Sequence, residues 1–103
     1  MDSGARSAIR DNTAARRFEL DVDGELAIAN YRIDGDTILF THTEVPPHLQ
    51  GRGIASRLVR GALEAARARG LKVVPLCSFV ADYIRRHKEV QDLVDPASLR
   101  RPF

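Results

Sequence analysis

At 103 residues with 44 % hydrophobic content, the chain has the size of one folded domain and enough apolar material for a core, which excludes a multidomain protein and an intrinsically disordered one. Sixteen Lys and Arg against fourteen Asp and Glu leave a net charge of +2, too small to mark a nucleic-acid binder, and most of the bases are arginines, whose fork suits small phosphate ligands. A lone cysteine, Cys77, excludes an internal disulfide, and apolar runs of a few residues fall short of the ~18 needed to span a membrane, so the expectation is a soluble, cytoplasmic protein without a signal peptide.

Residues 1–15 carry small and charged side chains without sustained periodicity and read as a flexible N-terminal arm that can join a sheet near Ile9. The domain proper is expected over residues 16–95. Phe18, Leu20 and Val22 alternate with Glu19 and Asp21, the period of a half-buried strand, and Asp23-Gly24 is a hairpin signal. A second strand is expected over Glu25–Ile33, with Leu26, Ile28 and Tyr31 among its apolar positions and Asp34-Gly35-Asp36 as the next turn. The third strand, Thr37–Val45, completes an antiparallel meander.

Pro46 and Pro47 end that strand, and the period changes. From Gly53 to Arg69 the apolar positions Ile54, Leu58, Val59, Ala62, Leu63 and Ala66 form one face of a helix, with Gly70 as its stop. Leu71–Leu76 is nearly all apolar, as in a strand buried on both faces, and a right-handed crossover makes it parallel to the third strand. Ser78 is expected to cap a second helix with Phe79, Val80, Tyr83, Ile84 and His87 on one stripe. Val90, Leu93 and Val94 pack a last helical turn, and residues 96–103 read as a C-terminal tail. The expected fold class is mixed α/β (α+β): an antiparallel meander, then a parallel strand–helix–strand crossover, with the helices packed on the sheet.

Val45-Pro-Pro-His-Leu-Gln-Gly-Arg-Gly-Ile-Ala55 links the third strand to the first helix. Gly51 and Gly53 let the backbone approach a ligand closely, and the first N–H groups of the helix are unpaired at the positive end of its dipole, which together favour an anion. The P-loop pattern fails for want of its lysine. The Rossmann pattern has Ser56 in place of its third glycine and lacks the acidic residue of the following strand. Gln50-Gly51-Arg52-Gly53-Ile54-Ala55 matches Q-x-x-G-x-A completely.

That hexapeptide resembles the acyl-CoA pyrophosphate loop of the GNAT-type N-acetyltransferases, and the chain looks like their minimal single-domain, YidJ-like branch. The likeness covers about residues 16–94 and includes Phe40-Thr-His-Thr-Glu-Val-Pro46 before the loop and Val74-Pro-Leu-Cys-Ser-Phe-Val80 after the helix. It implies that strands 37–45 and 71–76 splay apart to admit the pantetheine arm of acetyl-CoA. Pro75 independently fits a strand whose pairing ends there. It further implies that Val45, Gln50, Gly51, Arg52, Gly53, Ile54, Ala55 and Ser56 bind coenzyme A, with Arg52 as countercharge and no metal. A helix start with no ligand is the alternative reading of the same glycines.

Acetyl transfer to an amine needs a base for the ammonium, donors for the oxyanion and an acid for the departing thiolate. His42 and Glu44, two apart on one strand, share a face beside the expected thioester. Cys77 ends the following strand; it can serve as nucleophile, as acid or as packing, and activation would require His42 within hydrogen-bond reach. Tyr83 is a second candidate acid, or part of an apolar stripe. Arg85 and Arg86 read as a solvated face or as contacts for the CoA 3′-phosphate. The sequence also departs from larger family members, lacking their additional C-terminal hairpin segment, so an open acceptor groove is expected.

Three functions compete. The first is an enzyme, an acetyl-CoA-dependent N-acetyltransferase acting on an amine of a protein or peptide. The second is a non-catalytic CoA or acyl-CoA-binding module. The third, nucleic-acid binding through Arg52, Arg57, Arg60, Arg67 and Arg69, lacks an aromatic platform and is disfavoured.

Overall fold

Five strands lie in one sheet in their chain order: β1 (Ile9–Asn12), β2 (Arg17–Val22), β3 (Glu25–Asp34), β4 (Thr37–Glu44) and β5 (Lys72–Pro75). The computed structural model describes residues 9–97. The first four strands pair antiparallel, and β5 runs parallel to β4 from Thr37↔Lys72 to Phe40↔Pro75. Helix α1 (Ile54–Ala68) makes the crossover between them; helix α2 (Ser78–Arg86) and a 3-10 segment, Lys88–Leu93, follow β5. The mixed sheet with helices is therefore the expected architecture.

Pleating divides the sheet by face, because residues paired directly across strands point the same way. Phe18 and Leu20 of β2, Ala27, Ala29 and Tyr31 of β3, Ile38 and Phe40 of β4 and Val73 of β5 are buried with Leu58, Val59, Ala62, Leu63 and Ala66 of α1. Val80, Tyr83 and Ile84 of α2 join the same core, so both helices lie on this face. Phe18 packs against Tyr31 with ring centroids 5.2 Å apart. On the other face, among the described residues, only Glu19 is buried (2 % exposed). It takes hydrogen bonds from Arg10, Asn12 and Arg17, and these donors lower its carboxyl to about 2. Ile28, Leu39 and Val74 are half-buried there and lie outside the core cluster. The molecule is thus two layers, with one sheet face open to water.

Several local expectations are corrected. The expected arm divides: residues 1–8 lie outside the described residues, and the chain joins the sheet near Ile9 as anticipated, with Ile9–Asn12 as β1. Asp11 fastens that strand by accepting from Tyr31 Oη at 2.6 Å and from Arg69, the C-cap of α1, at 3.1 Å; burial, then the bond to Asp11, pushes the Tyr31 hydroxyl up to about 12. Ile9 lies directly over Gly61, where any Cβ would collide with it. Cys77, not Ser78, is the N-cap of α2, and no side chain caps that helix. The expected last helical turn is 3-10, and Val94 forms a parallel bridge to Val73 at the free edge of β5. Residues 98–103 of the expected tail lie outside the described residues.

Candidate active site

The link from β4 to α1 folds as the chemistry of its residues requires. Pro47 opens a 3-10 turn, Pro47–Leu49, which drops Leu49 into the core at 1 % exposure. Gln50 then folds back, its Nε2 donating to the Val45 carbonyl at 3.2 Å. Gly51 and Gly53 take φ of +81° and +75°, the left-handed region that costs an L side chain about 1–2 kcal/mol. A Cβ at either position would meet nothing within 4 Å, so the glycines are required by backbone conformation, not by crowding.

Gly53 is the N-cap of α1, whose first turn contains no acidic residue to neutralise the helix dipole. The N-terminal N–H groups therefore remain available to an anion. A cleft of about 400 Å³ lies against them, lined by Gly51, Gly53, Ile54, Ala55 and Ser56 on one side. Thr43 and Val45 of β4 and its extension, and Phe79 of α2, line the other. Arg52 is exposed beside the loop.

The cleft meets the sheet where β4 and β5 part. Their pairing ends at Phe40↔Pro75, with a last bond from Cys77 N–H to the Phe40 carbonyl at 2.9 Å, while β4 continues to Glu44. Residues 41–44 consequently have β3 on one side and no strand on the other. A β-bulge at Thr41 falls in the same stretch, since Tyr31 pairs with Phe40 but Asn30 pairs with His42. The extra residue shifts the alternation. Thr43 turns to the helix face opposite Ala29, and His42 and Glu44 turn to the open face opposite Asn30 and Ile28.

Of the sequence-derived catalytic residues, the fold brings two together. His42 Nε2 lies 3.7 Å from Glu44 Oε1, with both side chains more than 60 % exposed. Cys77 is half-buried on the helix side, and its Sγ is 3.4 Å from Thr43 Oγ1. His42 is on the opposite side of β4 from that contact, so the anticipated His42–Cys77 pair is not assembled. Tyr83 is 6 % exposed, outside the cleft lining, and stacked on His87 with centroids 3.8 Å apart. Burial pushes its hydroxyl up, opposed by Arg60 and reinforced by Glu89 and Glu64. Arg85 and Arg86 both engage Asp82 on the surface of α2.

Thr43, Leu49 and Phe79 line the cleft without having been singled out as site residues. Phe79 had a signal, an aromatic at the start of the helix after the Pro75 break. Thr43 had none, because its direction depends on the bulge. Among the described residues no group of three or more His, Cys, Asp or Glu could hold a metal, and no helix is long and apolar enough to cross a membrane.

Comparison with known proteins places this geometry. The sequence model of the GCN5-related N-acetyl-transferase family matches residues 17–93. Protein NATD1 of Xenopus tropicalis is 28 % identical over 90 residues, covering 84 % of this chain and 83 % of the relative. The human Protein NATD1 is 28 % identical over 84 % of this chain and 80 % of its own length. The solution NMR structure of a GCN5-like protein from Staphylococcus aureus superposes with a TM-score of 0.68 at 28 % identity, covering 88 % of this chain and 90 % of that one. With the match spanning all but the first strand of the sheet, the chain belongs to the GCN5-related N-acetyltransferase family.

Proposed function

We propose that the protein is an acetyl-CoA-dependent N-acetyltransferase that acts in the cytoplasm on an amine of a protein or peptide. The observation that carries this reading is the positive, acid-free N-terminus of α1 beside two left-handed glycines, adjoining the place where β4 loses its neighbour. The backbone N–H groups of residues 51–56 receive the diphosphate of the co-substrate, with Arg52 as countercharge, and the free backbone of residues 41–44 receives its pantetheine arm. The same proposal includes the minimal YidJ-like branch, on the order of the three motif segments.

The acceptor approaches from the open sheet face. His42 takes the proton of its ammonium, and Glu44 favours the imidazolium that results. No helix among the described residues covers that face, which suits an amine presented by a macromolecule. Cys77 supplies a proton to the departing thiolate from the helix side, with Thr43 orienting its thiol. A non-catalytic CoA-binding module is the second reading, favoured by one observation, that Cys77 is bonded to Thr43 and not to His42.

Thermal unfolding with acetyl-CoA, and with NAD as control, tests the first step. A ligand at a hundred times its Kd adds about 2.7 kcal/mol, a shift of roughly 10 to 20 °C for a domain of this size. Acetyl transfer to lysine peptides then separates the two readings. The enzyme loses turnover in His42→Ala while its acetyl-CoA shift is retained; the binding module shows the shift and no turnover in either protein.

A further inference from the structure

The glycine-rich loop carries a histidine–carboxylate contact that the binding chemistry leaves unused, an ion pair when the imidazole is protonated. His48, in the middle of the 3-10 turn, places Nε2 2.6 Å from Oε2 of Glu25, the first residue of β3. Both side chains are substantially exposed, 64 % and 44 %. The flanking residues are anchored differently: Leu49 is buried, and Gln50 is bonded to Val45. The imidazole is thus a link from the loop to the β2–β3 hairpin that depends on charge.

We propose that His48 is a positioning residue whose protonated form makes the loop competent to bind a diphosphate. This inference rests on the reading of residues 51–56 as the diphosphate site. Two effects act in the same direction. Protonated, His48 forms a charge-assisted bond that fixes the turn two residues before Gln50, so fewer loop conformations are lost on binding. Neutral, it leaves the Glu25 carboxylate uncompensated at the edge of the loop, where it repels an incoming dianion. The other charged groups on the surrounding elements are Asp21, whose Oδ1 accepts from Gly24 N–H; Asp23 in the same turn; Glu44, which pairs with His42; and Arg52 across the loop. Glu25 is the carboxylate within ion-pair distance of His48.

Affinity should therefore fall as the pH is raised from 6 to 8. An exposed pair contributes little, and a change of roughly two- to fivefold in Kd is expected. The experiment is calorimetric titration of the full chain with CoA at pH 6 and pH 8 at constant ionic strength, with circular dichroism checking that each variant is folded at both values. His48→Gln should bind as weakly at pH 6 as at pH 8, after allowing for the titration of the ligand's own 3′-phosphate, measured with 3′-dephospho-CoA. His48→Arg, which keeps the cation, should bind at pH 8 as the unaltered protein does at pH 6. Glu25→Gln should lose most of the pH dependence.

An unaltered protein that binds CoA equally at both values, or a His48→Gln variant that retains the full ratio, overturns the positioning role while leaving the diphosphate site standing. A Glu25→Gln variant with an undiminished ratio also overturns it, since His48 would then act by its own charge. Failure of CoA to bind at either pH overturns both the positioning role and the reading beneath it.

Discussion

Glu19 is a carboxylate on a sheet face otherwise open to water, and it is buried because its own donors cover it. Arg10 and Asn12 reach it from β1 and Arg17 from two residues away on its own strand. Because these bonds lower its folded-state pKa from 4.5 to about 2, their contribution is complete above pH 4.5 and is lost as the pH falls towards 2. Glu19→Gln should therefore cost about 1–2 kcal/mol in urea unfolding at pH 7, and the gap to the unaltered protein should close near pH 2. At this scale the sequence was informative where a residue type has one use. Gly51 and Gly53 were legible as a turn because a left-handed backbone before a helix admits few other residues. The partners of Glu19, the link from His48 to Glu25 and the contact of Cys77 with Thr43 were not, since each joins side chains from separate elements and depends on register.

Elements were legible by period and less so at their ends. The alternation in 18–22 and the helical stripe in 54–66 are strong because each buries a face, whereas Ile9–Asn12 is a short edge strand with one apolar residue. Its place is secured from outside by Asp11 and by the contact of Ile9 with Gly61. That contact allows a test. Glycine inside a helix costs about 1 kcal/mol relative to alanine, so Gly61→Ala would ordinarily stabilise α1. Here the new Cβ strikes Ile9 near its branch point, and the substitution should instead destabilise by about 1 kcal/mol or more. In an Ile9→Ala background the sign should reverse. Urea unfolding of the four proteins measures the coupling, and additive effects would show that β1 does not lean on α1.

The two-layer arrangement of the whole molecule has a direct signature in stability. Ile38 and Leu39 are neighbours on β4, one buried at 0 % exposure beneath α1 and the other on the open face. Ile38→Ala should cost about 2–5 kcal/mol and Leu39→Ala about 1 kcal/mol, read from denaturant midpoints. Similar losses would mean that the open face is covered in solution. The meander and the crossover could be read from the chain because turn signals and period changes are local. Which residues of β4 point at which layer could not, because one unpaired residue decides it. The bulge at Thr41 makes the strand a counter of parity. A strand that seated Thr41 opposite Asn30 would keep every pairing up to Phe40 and invert everything after it, presenting Thr43 to solvent and turning His42 and Glu44 towards the side of Cys77, whereas a chain lacking Thr41 would lose the bulge and keep the observed faces. The separation of a proton acceptor on one side from a thiol on the other thus depends on one residue between Phe40 and Val45 standing outside the ladder.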